Sequence, residues 1–103
     1  MISESDWKKF KKIREKALDK FCSLALEDIQ EALNKKDADA HSRYLYVYKI
    51  VENNDKRLSL IFDDYRRSKA RIQLALMVSS DLVDEQDLNV LSDDLQEFIA
   101  KNG

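Results

Sequence analysis

The chain has 103 residues, of which 37% are charged and 44% hydrophobic, with no proline, one cysteine and a single glycine at its end. A chain of this length forms one domain with one modest core, and its lack of turn residues argues against sandwiches, barrels and glycine-rich phosphate loops. The net charge of −2 is the difference between 18 basic and 20 acidic residues, a balance typical of helical bundles with solvated outer faces.

Apolar residues recur on steps of three and four along most of the chain, which predicts an all-α domain covering residues 1–103. We expect a small bundle of three helices, in which a long antiparallel αα-hairpin is followed by a shorter C-terminal helix. The predicted helices cover about residues 5–34, 39–78 and 85–100, and the middle helix has an alternative break near residues 53–54.

The first predicted helix has Ser3 or Ser5 as an N-cap and a long apolar stripe that includes Trp7, Phe10 and Ile13. Four lysines follow one another at i,i+4 spacing on the opposite face: Lys8, Lys12, Lys16 and Lys20. This column is typical of a solvated face, and it is also a possible contact for an anionic partner. The lysines at 35 and 36 suit the end of this helix.

The middle segment carries a column that predicts one buried stripe of a helix: Tyr44, Tyr48, Val51, Leu58, Phe62, Tyr65, Ile72 and Leu76. The alternation of aromatic and β-branched residues from Tyr44 to Ile50 also fits a strand, which leaves open an α+β fold with a β-hairpin at about 44–62. On a helix Tyr46 points away from the column. It is therefore a candidate contact for a protein partner.

Three arginines, Arg66, Arg67 and Arg71, fall on the side of the predicted middle helix opposite its apolar stripe. Arginine binds carboxylate or phosphate through two parallel hydrogen bonds, so this patch is a candidate site for a protein partner or for nucleic acid. Asp63 lies at i,i+4 to Arg67, which favours ordinary helical ion pairing as the alternative.

The segment Ala70–Val78 is almost continuously apolar, so we expect it to be covered on more than one side. The third helix is the natural cover, and a second copy of the chain is the alternative. Leu74, Met77 and Val78 are accordingly the candidates for self-association as a homodimer.

Catalytic and metal-binding patterns are lacking. His41 is the only histidine and Cys22 the only cysteine, so no metal constellation is predicted. Adjacent pairs such as Asp63 and Asp64 point about 100° apart on a helix and do not converge. We expect a non-enzymatic protein without cofactor or metal.

Neither a signal peptide nor an apolar segment of ~20 residues is visible, which predicts a cytoplasmic protein without membrane contact. The sequence favours a small protein–protein interaction module, such as an adaptor, inhibitor or assembly factor. The alternative is a nucleic-acid-binding regulator that uses Arg66, Arg67 and Arg71.

Overall fold

The computed structural model describes all 103 residues and contains helices and connecting turns but no strand. Its five α-helices and one short 3₁₀ helix are α1 (Glu4–Leu33), α2 (Ala40–Phe62), the 3₁₀ helix (Arg67–Lys69), α3 (Ala70–Ser79), α4 (Glu85–Leu88) and α5 (Asp93–Asn102). The all-α prediction is confirmed. The count of three helices is wrong, and so is the alternative of a β-hairpin at 44–62, because those residues lie in α2.

Helices α1 and α2 form a long antiparallel hairpin whose ends are defined by local capping. The Ser3 hydroxyl accepts a hydrogen bond from the Asp6 amide at 3.1 Å, and Asp39 accepts one from the Ser42 amide at 2.8 Å. Each bond satisfies one of the free amides of a first helical turn. The short connection between the helices makes them neighbours in space.

The middle helix ends at Phe62 and does not continue to residue 78 or break near 53–54. The Asn54 side chain donates to the Ile50 carbonyl at 2.8 Å, so it is accommodated inside the helix. The break falls where Asp64 adopts a left-handed conformation with φ of 62°. Buried Gln73 holds this turn, because its amide donates to the carbonyls of Asp63 and Asp64.

Distant residues also fix the end of α2. The Arg14 guanidinium donates to the Phe62 carbonyl at 2.9 Å and lies 4.1 Å from the centre of the Tyr65 ring. An arginine near the last carbonyls of a helix stabilises its negative end. The chain therefore reverses direction at this point, and α3 packs against α1 and α2.

The hydrophobic core lies at one end of the molecule, where the first half of α1 meets the end of α2, α3 and α5. Its fully buried large side chains are Phe10, Phe62, Leu74 and Met77. Phe21 packs edge-on against Phe62 with ring centres 6.0 Å apart. This end, which we call the proximal core, contains nearly every buried residue of the chain.

The predicted C-terminal helix is two helices, because the chain leaves the helical conformation between Asn89 and Ser92. Ser92 caps α5 by accepting a hydrogen bond from the Leu95 amide at 3.3 Å. Buried Asp6 accepts two further hydrogen bonds, from the Ser92 amide at 3.0 Å and from its hydroxyl at 2.5 Å. This contact joins the start of α1 to the start of α5.

Candidate interaction surface

The far end of the αα-hairpin, which we call the distal hairpin, comprises residues 22–34 of α1, residues 40–57 of α2 and the turn between them. The molecule measures 52 × 24 × 22 Å, so the hairpin extends well beyond the proximal core. Ala32 is the only buried residue of this region. Two helices without a third layer can bury only the stripes that face each other.

The contacts between the two helices establish which residues lie at the same level. The Arg57 guanidinium lies over the Phe21 ring, 5.4 Å from its centre, and Arg43 donates to the Leu33 carbonyl at 3.2 Å. Interpolation along the antiparallel helices places Leu26 near the level of Val51.

One flank of the distal hairpin continues the side on which the C-terminal helices pack. The buried stripe of α1 that includes Ala17 and Phe21 reaches Asp28 after seven further residues. Asp28 lines a shallow groove of about 230 Å³ together with Glu31, Ala32, Lys35, Tyr46 and Ile50. Tyr46 is half exposed, and the Lys35 ammonium lies 4.8 Å from the centre of its ring. Tyr46 thus remains accessible to a partner.

The opposite flank carries large apolar side chains in solvent. On α1 it presents Leu26 and Leu33, and on α2 Tyr44, Tyr48 and Val51, with exposures from 42% for Val51 to 69% for Tyr44. Residues two positions apart on a helix point about 160° apart, so both tyrosines project away from the groove that Tyr46 lines. We call these five residues the apolar face.

The prediction that Tyr44, Tyr48 and Val51 are buried is therefore wrong. The α2 column that faces α1 shares Leu58 with the predicted one and otherwise lies beside it: it consists of Val47, Ile50, Asn54, Leu58 and Ile61, which are half-buried or buried. The sequence is apolar on two adjacent columns of α2, and periodicity alone does not distinguish the inner from the outer one.

Charged groups border the apolar face on α2. Glu52 lies 3.9 Å from the ammonium groups of both Lys49 and Lys56. Its carboxylate raises the pKa of the Tyr48 hydroxyl through a side-chain hydrogen bond and through its negative charge. A tyrosine hydroxyl is neutral near pH 7 even without such a shift, and its apolar ring with a polar tip suits an amphipathic contact.

The three candidate arginines do not form one helical patch. Arg66 lies in extended backbone and pairs with Asp64 at 2.6 Å, which lowers the pKa of that aspartate. Arg67 pairs with Glu4 rather than with Asp63. Arg71 stacks on Phe98. Each guanidinium already has a partner within the chain.

The four lysines of the α1 column also differ in their contacts. Lys16 lies 2.6 Å from Asp87 and 3.2 Å from Asp84, and these two carboxylates raise its pKa by stabilising the charged ammonium. Lys8, Lys12 and Lys20 remain exposed.

The residues predicted to mediate self-association lie in or beside the proximal core. Leu74 and Met77 are fully buried, and Val78 is half-buried. Because α1 and α5 pack against α3, Leu74 and Met77 present almost no surface to a second copy, whereas Val78 is partly accessible.

The reactive residues are scattered. Cys22 is half-buried on α1. His41 is exposed and lies near the level of Leu33, which is eleven residues, or about 16 Å, along α1 from Cys22. No three His, Cys, Asp or Glu side chains are grouped so that they could hold a metal ion. A cavity of about 410 Å³ is open to solvent and lies beside Asp6 and Ser92, whose side chains are hydrogen-bonded to each other.

None of the helices combines the length and the apolar character needed to cross a membrane. Comparison with protein-family models, with curated proteins and with solved structures found no match to this chain.

Proposed function

We propose that this protein is a non-enzymatic, cytoplasmic helical interaction module that binds protein partners through the distal hairpin. The main support for the proposal is the apolar face, where five large apolar side chains from two neighbouring helices are exposed to solvent. Scattered exposed apolar residues are normal in proteins, whereas a contiguous group of them is typical of a binding surface.

The composition of this face supports protein recognition. Tyrosine is enriched at protein interfaces because it combines a large apolar body with a polar tip. Tyr44 and Tyr48 are one helical turn apart, and Leu26 and Leu33 are two turns apart on the neighbouring helix. Anchors at these spacings suit a partner that lies along the hairpin.

A nucleic-acid-binding regulator receives less support. Such a protein needs cationic groups for phosphates. Of the predicted arginine patch, Arg66 and Arg67 are paired with Asp64 and Glu4, and Arg71 stacks on Phe98, which leaves the exposed Lys8, Lys12 and Lys20 as the remaining candidates.

The proposal is tested by affinity capture from native cell extract with the wild-type chain and with the double variant Tyr44→Ser/Tyr48→Ser. We expect the wild-type chain to retain a protein in near-stoichiometric amount and the double variant to lose it. Ile72→Ser is the matched control, because Ile72 is an exposed apolar residue of α3 outside the distal hairpin.

Retention of the same protein by the double variant would contradict the assigned surface. Loss of the captured material after nuclease treatment would instead favour the nucleic-acid alternative. A steep fall of binding with salt and its loss in Arg66→Ala/Arg67→Ala would give that alternative direct support.

A further inference from the structure

The groove that Tyr46 lines, on the flank opposite the apolar face, lies where the layer formed by α3 stops. At the proximal end this side of the hairpin is covered by α3, which packs against both α1 and α2. At the distal end it is open, and α1 presents Leu24, Asp28 and Glu31 there, all exposed and at positions i, i+4 and i+7. The Tyr46 groove therefore offers a further helix a place in line with α3.

The two walls of the Tyr46 groove differ in chemistry. Asp28 and Glu31 supply carboxylates on the α1 side, and Tyr46 and Ile50 supply apolar groups on the α2 side. A lysine or arginine side chain matches both walls, because its methylene stem packs against apolar groups and its charged head reaches carboxylates or the face of an aromatic ring. An acidic segment would be repelled, and a purely apolar one would cover the carboxylates without pairing them. The groove thus selects a basic occupant.

The two carboxylates have no cationic partner within the chain. Neither Asp28 nor Glu31 forms an ion pair. Lys35 follows Glu31 by four residues, a spacing that pairs well inside a helix, but α1 ends at Leu33. Arg43, at the same end of the hairpin, donates to the Leu33 carbonyl instead. Both carboxylates are therefore available to a cation from another molecule.

Lys35 already places a cation against this groove. Its ammonium lies 4.8 Å from the centre of the Tyr46 ring, within the range over which an aromatic face attracts a positive charge. Because Tyr46 is half exposed, this contact lies at the surface, where such attraction is weak. Lys35 is therefore an internal occupant whose place a cation of a partner can take.

We propose that the Tyr46 groove binds a helical segment of a protein partner that carries lysine or arginine residues one turn apart. Asp28 and Glu31, which are also about one turn apart, bind the charged heads. The Tyr46 ring receives one of these heads when Lys35 leaves it. The groove is separate from the apolar face, so this inference goes beyond the proposed function and can fail without it.

The probe is an acetylated and amidated alanine-based helical peptide with arginines one turn apart, and the same peptide with glutamine in place of arginine is its control. NMR titration of the isotope-labelled protein in about 50 mM salt keeps exposed charges from being fully screened. With the arginine peptide we expect saturable shifts of the amides around Asp28, Glu31 and Tyr46, with a dissociation constant at or below about 1 mM. The glutamine peptide should cause none. Shifts that do not saturate, or that fall mainly on the acidic C-terminal helices, would overturn the proposal.

A pair of matched variants separates the groove from the general attraction between carboxylates and a basic peptide. Asp28→Asn/Glu31→Gln should weaken binding at least about threefold. Asp93→Asn/Asp94→Asn removes the same charge from the exposed first turn of α5 and should weaken it less than about 1.5-fold. Circular dichroism confirms equal helix content in both variants. Equal weakening by the two would overturn the assignment of the groove.

The role of Lys35 has its own test. Lys35→Gln frees the Tyr46 ring and should tighten binding about two- to fivefold, the range expected for one exposed contact between a cation and an aromatic ring. Lys36→Gln removes the same charge from the neighbouring position and should have a smaller effect. Equal effects of the two variants would show that Lys35 acts only through its charge and does not occupy the groove.

The apolar face and the Tyr46 groove are distinguished by Tyr44→Ser/Tyr48→Ser, which should bind the arginine peptide as the wild-type chain does. If the wild-type chain does not bind the peptide while this variant still loses a captured protein, the inference about the groove fails and the proposed function stands. If the peptide binds in the groove but no captured protein depends on Tyr44 and Tyr48, the groove stands and the proposed function fails.

Discussion

The proximal core and the distal hairpin are built from the same two helices, and they differ in what covers those helices. At the proximal end α3 and α5 supply a further layer, and Phe62 is 2% exposed. At the distal end there is no further layer, and Tyr44 of the same helix is 69% exposed. The same kind of residue on one helix is therefore core or surface according to the number of neighbouring elements.

This difference concentrates the stabilising burial of apolar side chains at one end of the molecule. Burial of one large apolar side chain contributes about 1.5–3 kcal/mol, and nearly all such burial here is proximal. The distal hairpin contributes little of it, and regions with few buried contacts open at low free-energy cost. Its large apolar side chains are instead exposed to solvent.

The largest expected effect contrasts two aromatic residues of α2. Phe62→Ala removes a ring packed against Phe21 and should lower the free energy of unfolding by about 3–5 kcal/mol. Tyr44→Ala, measured under conditions where the chain is monomeric, should change it by less than about 0.5 kcal/mol. Urea denaturation followed by circular dichroism measures both. Equal losses for the two variants would mean that the distal hairpin is as well packed as the core.

A second contrast uses two aspartates of α1. Asp6→Ala leaves the Ser92 amide and hydroxyl without their buried acceptor, which should cost about 1–3 kcal/mol of unfolding free energy. Asp28→Ala, in the exposed part of the same helix, should have little effect. The same denaturation experiment applies, and an unchanged midpoint for Asp6→Ala would show that the link between α1 and α5 contributes nothing.

Hydrogen exchange compares the two regions directly. Backbone amides of α1 near Phe10 and Ala17 should be protected at least about tenfold more than those of residues 24–30, because opening the distal hairpin exposes little buried surface. NMR-detected exchange of the monomer gives both sets in one sample. Uniform protection along α1 would indicate that the hairpin opens only with the whole molecule.

The smallest expected effect is a pH dependence at the tip of the hairpin. Hydrogen bonds from Ser42, followed by the charge of Arg43, lower the pKa of Asp39. Because the pKa of Asp39 is lower in the folded state, its capping hydrogen bonds stabilise the fold fully above about pH 4, the ordinary range for aspartate. This stabilisation is lost as the pH falls through the folded-state pKa. The Ser42 amide shift in NMR should report this transition below about pH 4. It should be absent in Asp39→Ala, and a wild-type transition above that range would contradict it.

The sequence predicted the helical class and missed the exposed apolar face for related reasons. Helix formation and capping depend on residues within one or two turns, so the αα-hairpin and a cap at Ser3 or Ser5 are predictable from local pattern. The apolar column of Tyr44 and Tyr48 predicts that both are buried, although Val47 and Ile50 form an equally apolar column beside it. The signal available for the apolar face was the presence of two such columns on α2, together with Leu26 and Leu33 outside the main stripe of α1.

The sequence by itself determined that this chain is helical, limited the cap of α1 to Ser3 or Ser5 and placed the start of the second helix at about residue 39, because these features follow from helix periodicity and from hydrogen bonds between residues close in the chain. Only the tertiary structure decided that α2 ends at Phe62, since Arg14 and Gln73 reach that turn from distant positions. It also decided which apolar column is buried. The reason is that burial requires a neighbouring element, and the position of α3 and α5 at one end of the hairpin is not encoded in the pattern of either long helix.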